Sequence, residues 1–425
     1  MKNKNLSNRT EKNYIIMYFA CMIWILLYIV ITHGSAISEL LFNDIRDTGM
    51  DFFHSIEYVR GRTPYRKFNT LYPPLANLLF LLLYRCVPTD ISTLWSDNFD
   101  KSILMRGTDT DLRTYQAPMV LFLAFTIIVI LCTIILFYKL LKRRLPDKIA
   151  IPLSCAIFMS WGTLFGIERG NIIIGIPALL TIFLLYYDSN NPLLREISLI
   201  CLVISAGLKI YPALLGIYLI KDKNKIGYAP ILRTVIYGIL AIILPCFAFH
   251  EGIGAIPLWL KSVAEFQTKD NTIVWAGIGL NNVAITAVKI IEKTLNVALS
   301  VSYINIVKYI IVISLLIISY IQPKKWLSIM SCVLAMIWYQ TQSEYILCMY
   351  SLPILFYFKE EQNSNRTETI IFILLSLLTL PCIIPRNFIF KNFRYLFIQA
   401  VMILQYLGLI YICFNSIHTK RNSSV

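Results

Sequence analysis

The chain has 425 residues, of which 57% are hydrophobic and only 15% charged. Soluble domains are rarely so apolar, so the composition sets aside an ordinary soluble enzyme and points to a polytopic membrane protein. The formal net charge is +15, yet the basic residues stand in short clusters between apolar runs, without the interleaved aromatics of a nucleic-acid surface. No nucleic-acid partner is expected, and the clusters read as orientation signals at a membrane surface.

In chain order, the basic start MKNKNLSNRTEKN leads into an apolar stretch over 14–33. That stretch is too long for a secretory core and lacks a small-residue cleavage site, so it reads as a retained first membrane helix. Further apolar runs cover about 117–141, 149–166, 171–187, 197–220, 228–249, 303–321, 326–342, 344–358, 369–385 and 395–415. Most are long enough for a hydrocarbon layer of about 30 Å. The run 72–87, YPPLANLLFLLLYRCV, is ambiguous, and charge decides it. If it crossed, the cluster Lys139, Lys142, Arg143, Arg144 and Lys148 would face outward, against the positive-inside rule. Residues 34–116 are therefore expected to form one large external segment with interfacial helices, and 250–302 a second.

The run 197–220 has basic residues at both ends, Arg195 on one side and Lys221, Lys223 and Lys225 on the other. Both flanks read as cytosolic, so the run is expected to enter and return, bent at Gly207–Pro212. Its apex then has to sit in a wet or protein-lined space. The expectation is an all-α polytopic membrane protein of about 12 transmembrane helices with both termini in the cytosol. Arg386, Lys391 and Arg394 fall outside in this scheme, which charge bookkeeping does not explain.

Ten cysteines lie singly in apolar runs without CxxC spacing and read as inert core residues. His33, His54, His250 and His418 form no HExxH or paired arrangement, so neither a metal nor a cofactor is expected.

The stretch MDFFHSIEYVRGRTPYRKFNTLYPPL, residues 50–75, is unusually polar for this chain. From Asp51 it has helical periodicity: Phe52, Ile56 and Val59 share one face, expected in lipid, and Asp51, Ser55, Tyr58 and Arg62 the other. Gly61 ends this helix, and Tyr72-Pro73-Pro74 starts a second, strongly apolar one. Asp51 reads as a general base, with capping or solubilising the helix as the equal alternative. In GIERGN, 166–171, Arg169 is expected beside an outward helix N-terminus suited to a phosphate. In GLKIYP, 207–212, Lys209 is expected at the apex, at the N-terminus of the returning helix whose first turn suits Pro212; it is the charge deep in an apolar run, a functional candidate by default with snorkelling to the surface as the alternative. One carboxylate and two cations suit transfer of a group from a lipid phosphate: the acid takes a proton from an attacking hydroxyl, and the cations neutralise the departing phosphate.

Asp51, Tyr58, Gly61, Pro64-Tyr65 and Tyr72-Pro73-Pro74-Leu75, then Gly170-Asn171, then Gly207-Leu208-Lys209-Ile210-Tyr211-Pro212 resemble glycosyltransferase family 87 of the C-type (GT-C) superfamily. The resemblance spans about residues 44–221. It implies a multi-pass hexosyltransferase taking a sugar, often mannose, from a polyprenyl-phosphate donor to a glycolipid or glycan acceptor on the outer face of a membrane, with inversion. The Lys-, Asn- and Ile-rich composition points to a bacterial plasma membrane. By the resemblance the catalytic aspartate falls on Asp51, with Asp44 and Asp47 as nearby alternatives; by their own chemistry Arg169 and Lys209 are expected to hold the donor phosphate, and Tyr58, Tyr65, Tyr72, Asn171 and Glu344 to line the substrate pocket. The chain departs from the family at YQTQSEYILCMYSLP, where Glu344 stands about where the family has a histidine. The rival readings are a lipid-linked sugar flippase or transporter, which the lack of acids inside the apolar runs disfavours, and an outward-facing polysaccharide polymerase with a diphosphate-linked donor.

Overall fold

The computed structural model of the protein describes residues 2–40, 48–88, 112–269, 277–296, 304–339, 343–360, 365–389 and 393–422. Asp44, Asp47, Lys391 and much of the two long external segments lie outside these. Among the described residues every regular element is helical. Four helices are long and apolar enough to cross a bilayer: Thr10–Ile31, Gln116–Leu141, Ala229–Cys246 and Phe393–Asn415. The pair Asp147–Phe158 and Trp161–Arg169, bent by 55°, brings the number to 5 if it is one span. Leu27, Val30, Ile128, Leu131, Ile236 and Ile239 are each at least 44% exposed, a display of aliphatic surface that only lipid tolerates. Other apolar runs are shorter or broken. Run 344–358 opens as the 3₁₀ segment Glu344–Tyr350 before the helix Ser351–Lys359. Run 197–220 is interrupted at Lys209, between the helix Pro192–Leu208 and the 3₁₀ segment Tyr211–Gly216.

Local signals explain the boundaries. Asn191 accepts bonds from the amides of Leu193 and Leu194 ahead of Pro192, and Asn365 forms a reciprocal capping box with Glu368. The middle of the molecule is the helix Lys325–Tyr339 followed by Ser351–Lys359, apolar all round and buried nearly throughout, as a helix with no wet face must be. All ten cysteines are free, but Cys86 and Cys132 are exposed instead of sitting in the core.

The charged flanks sort to two ends. At one, Arg144 pairs with Glu11 at 2.6 Å and donates to the Glu360 carbonyl at 2.8 Å. Lys221 donates to the carbonyls of Ser319 and Gln322, Lys325 to that of Leu184, and Lys324 pairs with Glu368. These cations cap C-terminal carbonyls and tie helices together. At the other end, Gly49 N–H donates to Glu168 O at 2.7 Å, Arg386 N–H to Glu39 O, and His250 N–H to Arg62 O. The first external segment thus touches 166–171, 250 and 386.

The face of Met50–Arg60 expected in lipid is instead inside the protein. Phe52, Ile56 and Val59 are fully buried, with Phe52 packed against Phe80, Phe122 and Phe125. A helix beside several membrane helices finds protein on its apolar side, which periodicity alone does not distinguish from acyl chains.

The tightest contact in this region is Trp161–Arg169 on Glu344–Tyr350. A Cβ on Gly162 would lie 2.2 Å from the backbone nitrogen of Cys348 and 2.5 Å from the carbonyl carbon of Leu347. Neither neighbour is a movable side-chain end. Gly162→Ala is therefore expected to cost about 1–3 kcal/mol, the range for overpacking, seen as a lower melting temperature in detergent; an unchanged melting curve would mean that the two segments are not locked together.

Candidate active site

The site begins at a helix end. Trp161–Arg169 terminates at Gly170, which takes φ +66, and Asn171 N–H reaches back to Gly166 O at 2.8 Å. This is the left-handed C-terminal turn for which glycine is favoured. A Cβ at Gly170 would lie 2.9 Å from Phe52 Cβ and 3.1 Å from Gly49 O, so the absent side chain also lets the start of Met50–Arg60 sit on this turn. That seating brings Asp51, in the first turn of its helix, against Arg169 and Asn171.

Arg169 Nη2 donates to Asp51 Oδ1 at 2.8 Å, and Asn171 Nδ2 donates to Asp51 Oδ2 at 2.8 Å. Asn171 is fixed at its other end too, because its Oδ1 caps the next turn by accepting from Ile173 N–H. Both carboxylate oxygens are thereby oriented, and each keeps a second acceptor direction. The Asp51 and Arg169 side chains are 20% and 21% exposed, enough for a ligand to reach them.

Lys209 lies across from this pair. It is the C-cap of Pro192–Leu208, held where Gly207 presses on Leu75: a Cβ there would sit 2.6 Å from Leu75 Cδ2. Its ammonium stands 4.3 Å from the centre of the Tyr72 ring and 5.6 Å from that of Tyr345, a cation between two π-faces. It forms no ion pair among the described residues, and the Asp51 charge acts on it and on both tyrosines.

Sequence reasoning expected both cations at helix N-termini. Arg169 is in the last turn of its helix and Lys209 at the C-terminal cap of another, where the negative end of the dipole favours a cation. An N-terminus does follow Arg169, but Asn171 already caps the short 3₁₀ turn that it opens. Anion attraction here comes from side-chain charge, not from a helix dipole.

Of the remaining candidates, Tyr58 stacks on Phe68 at 4.8 Å, and burial, with Asp51 and Glu57 adding to it, raises its phenol above the ordinary value. Tyr72 is raised well above its ordinary value, by burial first and Asp51 next, so it acts as a neutral ring and not as a base. Tyr65 is buried and its hydroxyl donates to the Tyr72 carbonyl at 3.0 Å, a strut under the corner. Glu344 is fully buried and occupied: Trp161 Nε1–H donates to its Oε2 in a short bond, and Arg394 Nη2 to its Oε1 at 2.9 Å. This pairing explains why a cation stands at position 394 on the site's side of the molecule.

Sequence reading missed Tyr345, Tyr211, Trp161 and Arg394. Tyr211 is buried beside Tyr345 and Tyr72 with no partner for its hydroxyl among the described residues. The signal for Tyr345 was its place next to Glu344, but the segment was read as α-helix, whereas 3₁₀ geometry aims successive side chains differently. Nothing local could reveal Arg394, which is 50 residues from its partner.

Among the described residues, whose regular elements are helical and include lipid-facing spans, a carboxylate oriented by Arg169 and Asn171 stands near a second cation, Lys209, an arrangement that can accept a proton next to positive charge. The chain belongs to glycosyltransferase family 87, whose sequence model matches residues 70–349. No curated protein matches it. Arg169, Asn171, Lys209, Tyr72 and Glu344 lie within the matched stretch; Asp51, Tyr58 and Tyr65 precede it.

Proposed function

We propose that the protein transfers a hexose, mannose in the first instance, from a polyprenyl-phosphate carrier to a glycolipid or glycan acceptor on the outer face of a bacterial plasma membrane. Membership of the family makes it a membrane glycosyltransferase; the donor, the sugar and the sidedness are this proposal's own. In the reaction, the acceptor hydroxyl oxygen attacks the anomeric carbon while the bond from that carbon to the phosphate oxygen breaks. The bonding pair leaves with the phosphate, and the hydroxyl proton goes to Asp51. A single displacement inverts the anomeric centre. Arg169 and Lys209 take up the charge that grows on the leaving phosphate, and the neutral rings of Tyr72 and Tyr345 hold Lys209 in place.

The observation that carries this reading is Lys209. Its ammonium is held by aromatic rings, within the field of Asp51, with no carboxylate paired to it among the described residues. A cation so placed is completed by an anionic ligand. For topology, twelve membrane passages with both termini in the cytosol remain our reading, supported by the gathering of Arg144, Lys221, Lys324 and Lys325 at the end away from Asp51. The test is to supply radiolabelled polyprenyl-phosphate sugars, one at a time, to membranes holding the protein together with a lipid extract. Lys209→Gln is expected to raise the donor KM roughly ten- to a hundredfold, the worth of one charge-assisted contact. A donor KM that stays put while the acceptor KM rises would remove Lys209 from the phosphate site, and turnover only with diphosphate-linked oligosaccharides would replace the reading by a polymerase.

A further inference from the structure

The corner where the two external segments meet carries charge that the pocket does not use. Arg62, Arg66 and Lys67 are exposed. None forms an ion pair among the described residues, whereas Arg60, two positions earlier, is set against Glu57 at 3.6 Å. The backbone beneath the three is fixed from the second segment: Arg62 O accepts from His250 N–H at 2.9 Å, and Arg66 N–H donates to Glu251 Oε1 at 3.2 Å. Glu251 is half-buried and turned to the Arg66 backbone, so it leaves the guanidinium itself uncovered. Arg62 also takes φ 51, a left-handed conformation that favours glycine, directly after Gly61. The chain thus holds an arginine, at some conformational cost, at a turn where a glycine would sit freely.

Aliphatic surface lies beside these cations. Leu71, Ile253 and Leu260 are exposed, and the buried Trp259 donates its indole N–H to Leu71 O at 3.1 Å. The short helix Pro64–Phe68 and the helix Ala255–Lys269 together present exposed apolar chains next to exposed cations on a braced base. That mixture belongs in a headgroup layer, with the apolar chains reaching the acyl boundary and the cations at phosphate depth. On the side of the membrane where our reading places the pocket, unpaired cations are disfavoured by the rule that orients the chain. Their standing there with no ion pair among the described residues calls for a local anion, and in a leaflet that anion is a lipid phosphate.

We infer that Arg62, Arg66 and Lys67 form a docking surface for the headgroups of anionic phospholipids in the leaflet into which the pocket opens. The surface begins just past the end of Met50–Arg60, whose last residue lies about 14 Å along the helix from Asp51, nine residues at 1.5 Å each. Fixing one end of that helix at phosphate depth sets the depth of the carboxylate at the other, so a lipid-linked sugar arriving sideways presents its anomeric carbon at the level of the base. The surface differs from the pocket of Arg169 and Lys209, and only its sidedness rests on the proposed function.

The test uses the full chain in nanodiscs of phosphatidylcholine carrying trace spin-labelled phosphatidylglycerol or spin-labelled phosphatidylcholine, with no sugar donor present. The wild type is expected to immobilise the glycerol lipid in preference to the choline lipid, and the triple variant Arg62→Gln/Arg66→Gln/Lys67→Gln to lose roughly fivefold or more of that preference. Asp51→Asn is expected to keep it in full, which separates lipid docking from chemistry. An unchanged preference in the triple variant overturns the docking surface. Lys67→Cys labelled by an impermeant reagent only from the outside of right-side-out vesicles supports the placement; labelling only from within overturns the assigned leaflet and leaves the chemistry of the pocket to be judged separately.

Discussion

Asp51→Asn is expected to reduce sugar transfer roughly a hundred- to ten-thousandfold, the span over which a positioned base accelerates proton removal, while the melting temperature and the donor KM stay close to wild type. The reason lies in how the carboxylate is held. Arg169 and Asn171 each donate to one oxygen at 2.8 Å, so the side chain is oriented from both sides while a fifth of it stays exposed. An asparagine fits the same volume and keeps one acceptor oxygen for Arg169, but its nitrogen has no lone pair for a proton. Binding of the donor phosphate, which depends on Lys209 and Arg169, therefore survives the change and turnover does not. Asp51→Glu is the companion: the added methylene displaces the carboxylate from Arg169 and Asn171, and an intermediate loss is expected. Initial rates against donor concentration in proteoliposomes measure both. Wild-type turnover by Asp51→Asn would pass the role of base to Asp44 or Asp47.

The sequence makes some of this site legible and hides the rest for physical reasons. Asp51, Arg169, Asn171 and Lys209 are readable because charge and amide are rare in this chain, and a charged group beside an apolar run needs a purpose. That three of them touch depends on two glycines whose role is steric. Gly170 admits Phe52 and Gly49, and Gly162 admits the backbone of Leu347 and Cys348. The amino-acid code shows the glycines and not what approaches them. Helix polarity was misread at Arg169 and Lys209 because a Gly-Asn or Lys-Ile-Tyr-Pro stretch ends one helix as readily as it starts the next, and here each does both. The apolar face of Met50–Arg60 shows a limit of another kind, since lipid and a protein interior select the same side chains. Charge bookkeeping groups the basic clusters but does not show what holds them: Arg144 meets Glu11, Lys324 meets Glu368 and Lys221 meets the Gln322 carbonyl, while 49 meets 168, 62 meets 250 and 39 meets 386. Of the three cations it leaves unexplained, Arg386, Lys391 and Arg394, the last is neutralised by Glu344, 50 residues away in the chain.

Arg394→Met is expected to destabilise the protein by roughly 3–5 kcal/mol, because it strands a fully buried carboxylate in a setting that cannot hydrate it. Both partners of the Arg394–Glu344 pair are completely inaccessible. The guanidinium also donates to the carbonyls of Glu39 and Leu40 and lies 5.0 Å from the Trp161 ring centre, while Trp161 Nε1–H donates to Glu344. The pair joins the C-terminal helix to the two segments that carry the site: Trp161 opens the helix that ends in Arg169, and Glu344 precedes Tyr345, whose ring faces Lys209. Removing the cation should therefore loosen the placement of Arg169 and Tyr345 as well as lower the melting temperature. Glu344→Gln keeps an oxygen for the Trp161 indole but leaves Arg394 unneutralised, so it too should destabilise. The double variant Glu344→Gln/Arg394→Met carries no buried charge, and its stability should recover most of what either single variant loses, the carbonyls of Glu39 and Leu40 accounting for the remainder at about 1 kcal/mol each. A thermodynamic cycle over the four proteins isolates the coupling. In the double variant kcat should stand close to wild type, with the donor KM still raised, because the charge is balanced again but Tyr345 no longer has a rigid neighbour. Additive losses in stability across the cycle would show that the pair is not coupled, and Glu344 would then have to be judged as a pocket residue acting independently of Arg394.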